Sequence, residues 1–253
     1  MIAFTDQQLM AWITPILWPF LRVLALFTTA PVLSMRAIPV RVKIGLAFLI
    51  ALASQVSLPP MPVVPLDSAA ALATVAQQVV IGLSIGFAVR LVFAAVEFAG
   101  ELVGLQMGLG FASFFDPTTG GQTNAVSRFF GATVSLLFVV INGHLVLTAA
   151  VIQSFHAFPV GPEPLAFLEA VRLHVYGAEI FKLGLWIALP ILAMLLFVNL
   201  VLGVIARVAQ QLNIFAVGFP ITIGVGLLGV LLTLPLLEQP FTMAIEQMLS
   251  RFQ

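Results

Sequence analysis

The 253-residue chain has no cysteine, which removes disulfides, thiolate nucleophiles, Cys-ligated zinc and iron–sulfur clusters together and leaves the redox compartment open. Charge is nearly as scarce: only 8% of residues are Asp, Glu, Lys or Arg, against about 25% in an ordinary soluble domain. A soluble fold of this size would lack the polar surface to cover its core. The ten basic side chains are matched by ten acidic ones, so there is no basic field to attract nucleic acid, and nucleic-acid binding is not expected. No G-x-x-x-x-G-K-[ST] occurs, so energy from nucleotide hydrolysis would have to come from a partner.

What is abundant is apolar: 61% of the residues are hydrophobic and the mean hydropathy is +1.17. This surface must face lipid or other subunits. A charge at a bilayer centre costs about 2.5–3.5 kcal/mol, so charge-free runs mark membrane segments. Residues 44–66, 68–89, 129–162, 183–206 and 208–237 are such runs, and residues 8–35 are interrupted only by Arg22. Each reaches the roughly 20 residues needed to cross. The pattern predicts an all-α, multi-pass integral membrane protein of long helical hairpins, with about six hydrophobic segments. The first segment has no Lys or Arg ahead of its apolar part and carries Asp6, Pro15 and Pro19, so it is expected to be retained rather than cleaved as a signal peptide. Arg36, Arg41 and Lys43 share one short connection, and the next connection, residues 59–67, has no basic residue. The positive-inside rule then puts the first loop in the cytoplasm and both termini outside.

Each chemically suggestive motif has a plain alternative. Gly224, Gly226 and Gly229 spell G-x-G-x-x-G, but inside an apolar run without a β-α pattern, which favours close helix approach over dinucleotide binding. Gly100, Gly104 and Gly108 recur every four residues, and Gly82 with Gly86 forms another such pair. These ridges predict helix packing against protein. Glu97 and Glu101 stand one turn apart and read as a solvated helix end, an intersubunit ion pair, or an acid–base pair. Arg22 lies mid-span, and its five donors require a carboxylate, helix-end carbonyls or water. Glu97, Glu101, Glu179 or another subunit are the expected partners. His144, His156 and His174 lack metal spacing, and Ser127, Ser135 and Ser154 lack a nucleophile elbow. No enzyme constellation and no cofactor or metal site is expected.

The order of these motifs carries a resemblance. RVLALFTTAPVLSMRAIPVRVKIGLA (22–47), GELVGLQMGLGFASFFDPTTGGQTNAVSRFF (100–130), NGHLVLTAAVIQSFHAFPVG (142–161) and ALPILAMLLFVNLVLGVIARVAQQLNIFAVGFP (188–220) resemble the FliR family, whose injectisome counterpart is SctT. The family usually shows R-x-x-P-Q-x-N, whereas Arg207 here is followed by Gln210 at the proline position. Gln210 restores a backbone N–H, so the helix is expected to be able to continue there.

The resemblance implies a core subunit of the flagellar type III export gate: one copy built with several copies of FliP and FliQ into a hetero-oligomeric helical bundle that passes unfolded export substrates. It implies a FliP-like part over residues 1–182 and a FliQ-like helical hairpin over 183–253, in the bacterial inner membrane at the flagellar basal body and raised toward the periplasm. Other export-apparatus membrane subunits would be neighbours. Arg207 joins Arg22, Glu97 and Glu101 as buried or intersubunit charges. The stretch from 109 to 124, with Phe111, Phe114, Phe115, Asp116, Pro117, Gly120 and Gly121, corresponds to a channel plug: a pore wide enough for polypeptide leaks ions unless an apolar, movable element blocks it. The alternatives are a small-solute secondary transporter, which would show inverted repeats and a midplane charge cluster, a membrane transferase with clustered carboxylates or histidines, and the injectisome homologue.

Overall fold

The computed structural model describes residues 6–65, 67–110, 124–163, 167, 176–209, 211 and 213–252. Among these residues the chain is all-helical: α1 (Asp6–Thr29), α2 (Val40–Ala53), α3 (Ala69–Gln106), α4 (Ala125–Val140), α5 (Gly143–Ala157), α6 (Tyr176–Val208), α7 (Ile214–Thr233) and α8 (Glu238–Leu249). Short 3₁₀ turns follow α2 (Ser54–Val56), α7 (Leu234–Leu237) and α8 (Ser250–Phe252). Four stretches are long and apolar enough to cross a membrane: Met10–Thr29, Ala69–Gln106, Tyr176–Val208 and Ala216–Phe252. The bent pair α4–α5 would make a fifth.

Two of the expected segments take a different form. Residues 44–66 do not make a full crossing helix: α2 has 14 residues, roughly 21 Å of rise against about 30 Å of hydrocarbon. Beyond its 3₁₀ turn come Pro59, Pro60, Pro62 and Pro65, which supply no backbone donors to extend it. Residues 129–162 are interrupted at Asn142, which adopts φ 55° and ψ 33°, and α4 and α5 meet there at 69°. Asn is among the few side chains that enter the left-handed region readily.

The chain divides into two compact units. One comprises Met1–Leu91, Phe138–Tyr176 and Ile245–Gln253. In it α1 buries a stripe of Thr14, Trp18, Arg22, Ala25 and Leu26 at helical spacing. It packs on α3 at Gly82 and Gly86: a Cβ on Gly82 would fall on the Arg22 carbonyl oxygen and lie 2.9 Å from the Ala25 Cβ, and one on Gly86 would lie 2.9 Å from the Ala30 nitrogen. Thr29 Oγ1 donates across the same seam to the Leu83 carbonyl at 3.2 Å. An edge-to-face pair joins Phe158 to Phe167 at 4.8 Å.

The second unit comprises Val92–Leu137 and Gly177–Ala244. In it α6 meets α3 at Gly184, where a Cβ would stand 2.7 Å from the Ala95 carbonyl oxygen. Gly226 faces Met107 and Gly229 faces Met194 and Ile191, whereas Gly224 faces open space. Two of the three glycines of the dinucleotide-like string are thus close-packing positions.

Candidate functional site

Arg22 is fully buried. Its Nε donates to Gln78 Oε1 at 2.8 Å, Nη1 to Ser154 Oγ at 2.9 Å and Nη2 to the Phe158 carbonyl at 3.0 Å. The Phe155 ring centroid lies 3.6 Å from its Cζ, in cation–π range. These hydrogen bonds go to neutral groups and not to Glu97, Glu101 or Glu179, which corrects the expectation of an acidic partner within the chain. The network continues: Gln78 Nε2 donates to Gln77 Oε1 at 2.7 Å, which also accepts the Gly161 N–H at 3.0 Å, while Gln77 Nε2 donates to the Pro159 carbonyl at 3.3 Å. α1, α3 and the exit of α5 are therefore tied at one polar node whose Arg22, Gln78 and Ser154 side chains are buried in an apolar unit, where low polarity strengthens their hydrogen bonds. The adjacent glutamines in an otherwise apolar run were the available sequence signal for it.

The glycine ridge of α3 lies in the other unit. Cβ atoms on Gly100 would meet Phe130 and Ser127, and one on Gly104 would collide with the Asn124 side chain. Gly108 does a different job from its neighbours in the series. With φ +86° it ends the helix, the Leu109 N–H reaching the Gly104 carbonyl at 3.0 Å and the Gly108 N–H reaching Leu105 at 3.0 Å. That is a Schellman stop, which needs a residue without Cβ strain.

Asn124 caps α4, its Oδ1 accepting the Ser127 N–H at 2.8 Å. It also binds Glu101, its Nδ2 donating to the Glu101 carbonyl at 3.2 Å and its N–H to Glu101 Oε2 at 3.4 Å. Ser127 Oγ donates to the Glu97 carbonyl at 2.8 Å. Glu97 is exposed in the single chain and Glu101 half-buried; the Glu101 carboxylate sits at the start of α4, where the helix dipole favours it, whereas that of Glu97 lies a turn further on beside Gly131. The end of α3 and the start of α4 are thereby pinned side by side. The residues expected to form a plug, Phe111, Phe114, Phe115, Asp116, Pro117, Gly120 and Gly121, come between these two ends in the chain and lie outside the described residues. Beside the ends runs an apolar crevice of about 470 Å³ lined by Met107, Val126, Phe129, Leu227 and Leu231 among others.

Arg207 is exposed in the last turn of α6. The helix ends at Val208, and Gln210, at the family's proline position, lies outside the described residues. The stop is assisted from the far side: Asn213 caps α7, its side chain accepting the Ala216 N–H at 3.3 Å. Among the described residues no group of three His, Asp or Glu side chains is placed to hold a metal.

Residues 13–248 match the family described as bacterial export proteins, family 1. The flagellar biosynthetic protein FliR of Pectobacterium carotovorum subsp. carotovorum is 46% identical over 244 residues, covering 95% of this chain and 92% of that protein. FliR of Escherichia coli strain K12 is 44% identical over 241 residues, with coverage of 95% and 92%. FliR of Bacillus subtilis strain 168 is 30% identical over 241 residues, covering 90% and 91%. With its long apolar helices and a match that spans nearly its whole length, the chain belongs to the FliR family of bacterial export proteins.

Proposed function

We propose that this chain is a core membrane subunit of the flagellar type III export gate, forming with FliP and FliQ the channel that passes unfolded flagellar proteins across the inner membrane. The observation that carries this reading is the similarity to FliR proteins over 95% of the chain. The fold supports it through unequal burial. In Ala69–Gln106 the most apolar window is 67% buried, but in Tyr176–Val208 it is 17% and in Ala216–Phe252 28%, so the latter helices turn apolar surface outward. Such faces suit neighbouring helical subunits as well as lipid. In this reading residues 1–182 are the FliP-like part and 183–253 the FliQ-like hairpin, and the bundle is raised toward the periplasm at the basal body. The chain moves polypeptide without covalent chemistry. The segment 111–121 plugs the lumen, and the pinned ends at Gly108 and Asn124 support this by giving a blocking element a fixed base.

The test is purification of the tagged chain in mild detergent with mass identification of co-purifying membrane proteins. FliP and FliQ in the complex are expected. A lone monomer that transports a small solute in liposomes would overturn the reading in favour of a secondary transporter, and co-purification with injectisome subunits would assign the chain to that system.

A further inference from the structure

The outer face of the α1–α2 pair joins a cationic end to an apolar groove, and the export reading uses neither. No Asp or Glu occurs between Asp6 and Asp67, while Arg36 and Arg41 are exposed. Lys43, on another face of α2, donates to the Met35 carbonyl at 3.2 Å. Along α2 only Ala47 and Ala51 are buried, so the helix rests on a narrow alanine stripe and leaves the rest of its apolar surface open.

Residues i, i+4 and i+7 share one helix face. Arg41 is followed on its face by Gly45, where a Cβ would find nothing within 4 Å, and then by Phe48. Phe48 and Trp12, Ile13, Ile16, Leu17 and Phe20 of α1 line a groove of about 460 Å³. The Phe20 and Phe48 rings, both lining it, meet edge to face at 6.5 Å. Phe48 lies roughly 10 Å along the axis from Arg41, within the roughly 15 Å depth of one leaflet's hydrocarbon. The order along this face is cation, open surface at Gly45, apolar groove, which matches phosphate, glycerol backbone and acyl chain.

We propose that this face binds one anionic phospholipid, with its phosphate at Arg36 and Arg41 and one acyl chain laid past Gly45 into the groove. Positive charge with no acidic residue in the same stretch of sequence selects an anionic headgroup over a zwitterionic one. The proposal is independent of the export reading.

The test uses the full chain, with whatever subunits accompany it, in lipid nanodiscs holding equal phosphatidylglycerol and phosphatidylcholine. Retained lipid is counted by native mass spectrometry after extraction. Phosphatidylglycerol is expected to be enriched, and Arg36→Gln with Arg41→Gln to reduce the enrichment roughly fivefold for each cation removed, the attraction of one basic side chain near an anionic surface. Gly45→Leu is expected to reduce retention of both lipids with an unchanged melting temperature, because the space it enters is empty. Leu17→Trp, filling the groove from α1, should reduce it likewise and gives a second reading should Gly45→Leu fold poorly. Equal retention of the two lipids by the wild type overturns the proposal, as does full retention by the groove variants. Displacement by inorganic phosphate, or capture of a protein subunit by a photo-crosslinker at position 45, would also overturn it.

Discussion

Gln55 donates its side-chain Nε2 to the Pro15 carbonyl at 2.8 Å. In an unbroken α-helix that carbonyl would accept the N–H of residue 19, but residue 19 is proline and has none. The acceptor orphaned by one proline of α1 is thus satisfied from the 3₁₀ turn after α2, and Gln55 also reaches the Ala51 carbonyl at 2.7 Å. One side chain repairs the helix and fastens its neighbour to it.

Gln55→Leu is expected to destabilise the protein by about 1–3 kcal/mol, the cost of leaving a sheltered acceptor unpaired. Pro19→Ala returns the missing N–H, so the same Leu substitution should cost clearly less in that background. Thermal unfolding in detergent of the four proteins of this double-mutant cycle checks it, and additive losses would show that Gln55 acts elsewhere.

Gly82→Ala should lower the melting temperature, because the new methyl would land on the backbone carbonyl of Arg22, and overpacking typically costs about 1–3 kcal/mol. Gly203→Ala should raise or preserve it: nothing lies within 4 Å of that position, and Ala is favoured over Gly in a helix by about 1 kcal/mol. Gly104→Ala should behave like Gly82→Ala by displacing the Asn124 cap.

Arg22→Lys is expected to destabilise by at least about 1–3 kcal/mol despite keeping the charge. A guanidinium fork serves Gln78, Ser154 and the Phe158 carbonyl together, and a single ammonium group cannot. Ser154→Ala removes one bond and should cost about 1 kcal/mol. Melting temperatures of the purified chains decide it, and an Arg22→Lys variant as stable as wild type would remove the argument for the fork.

If residues 111–121 plug the export path, replacing Phe111, Phe114 and Phe115 by Ser should make cells leak ions and small toxic solutes while FliP and FliQ still co-purify. Polar side chains no longer exclude water from a constriction. A complex that assembles and stays as tight as wild type would instead leave these phenylalanines resting on lipid.

The sequence by itself determined the helical class, the apolar surplus, the need of Arg22 for partners and the family. These follow from composition, from patterns a few residues long and, for the family, from the order of four motif stretches along the chain. The tertiary structure decided who meets whom. Arg22 is satisfied by residues 56, 132 and 136 positions away, and neutral ones, because the path of the chain brings Gln78, Ser154 and Phe158 to it. Gly100, Gly104 and Gly108 look equivalent in the sequence, yet two of them take a neighbour and the third turns the chain. Charge-free run length could not distinguish α3 from the short α2, nor show the bend at Asn142. Hydropathy records the cost of exposure to water, whereas a helix end is set by which backbone groups find a partner.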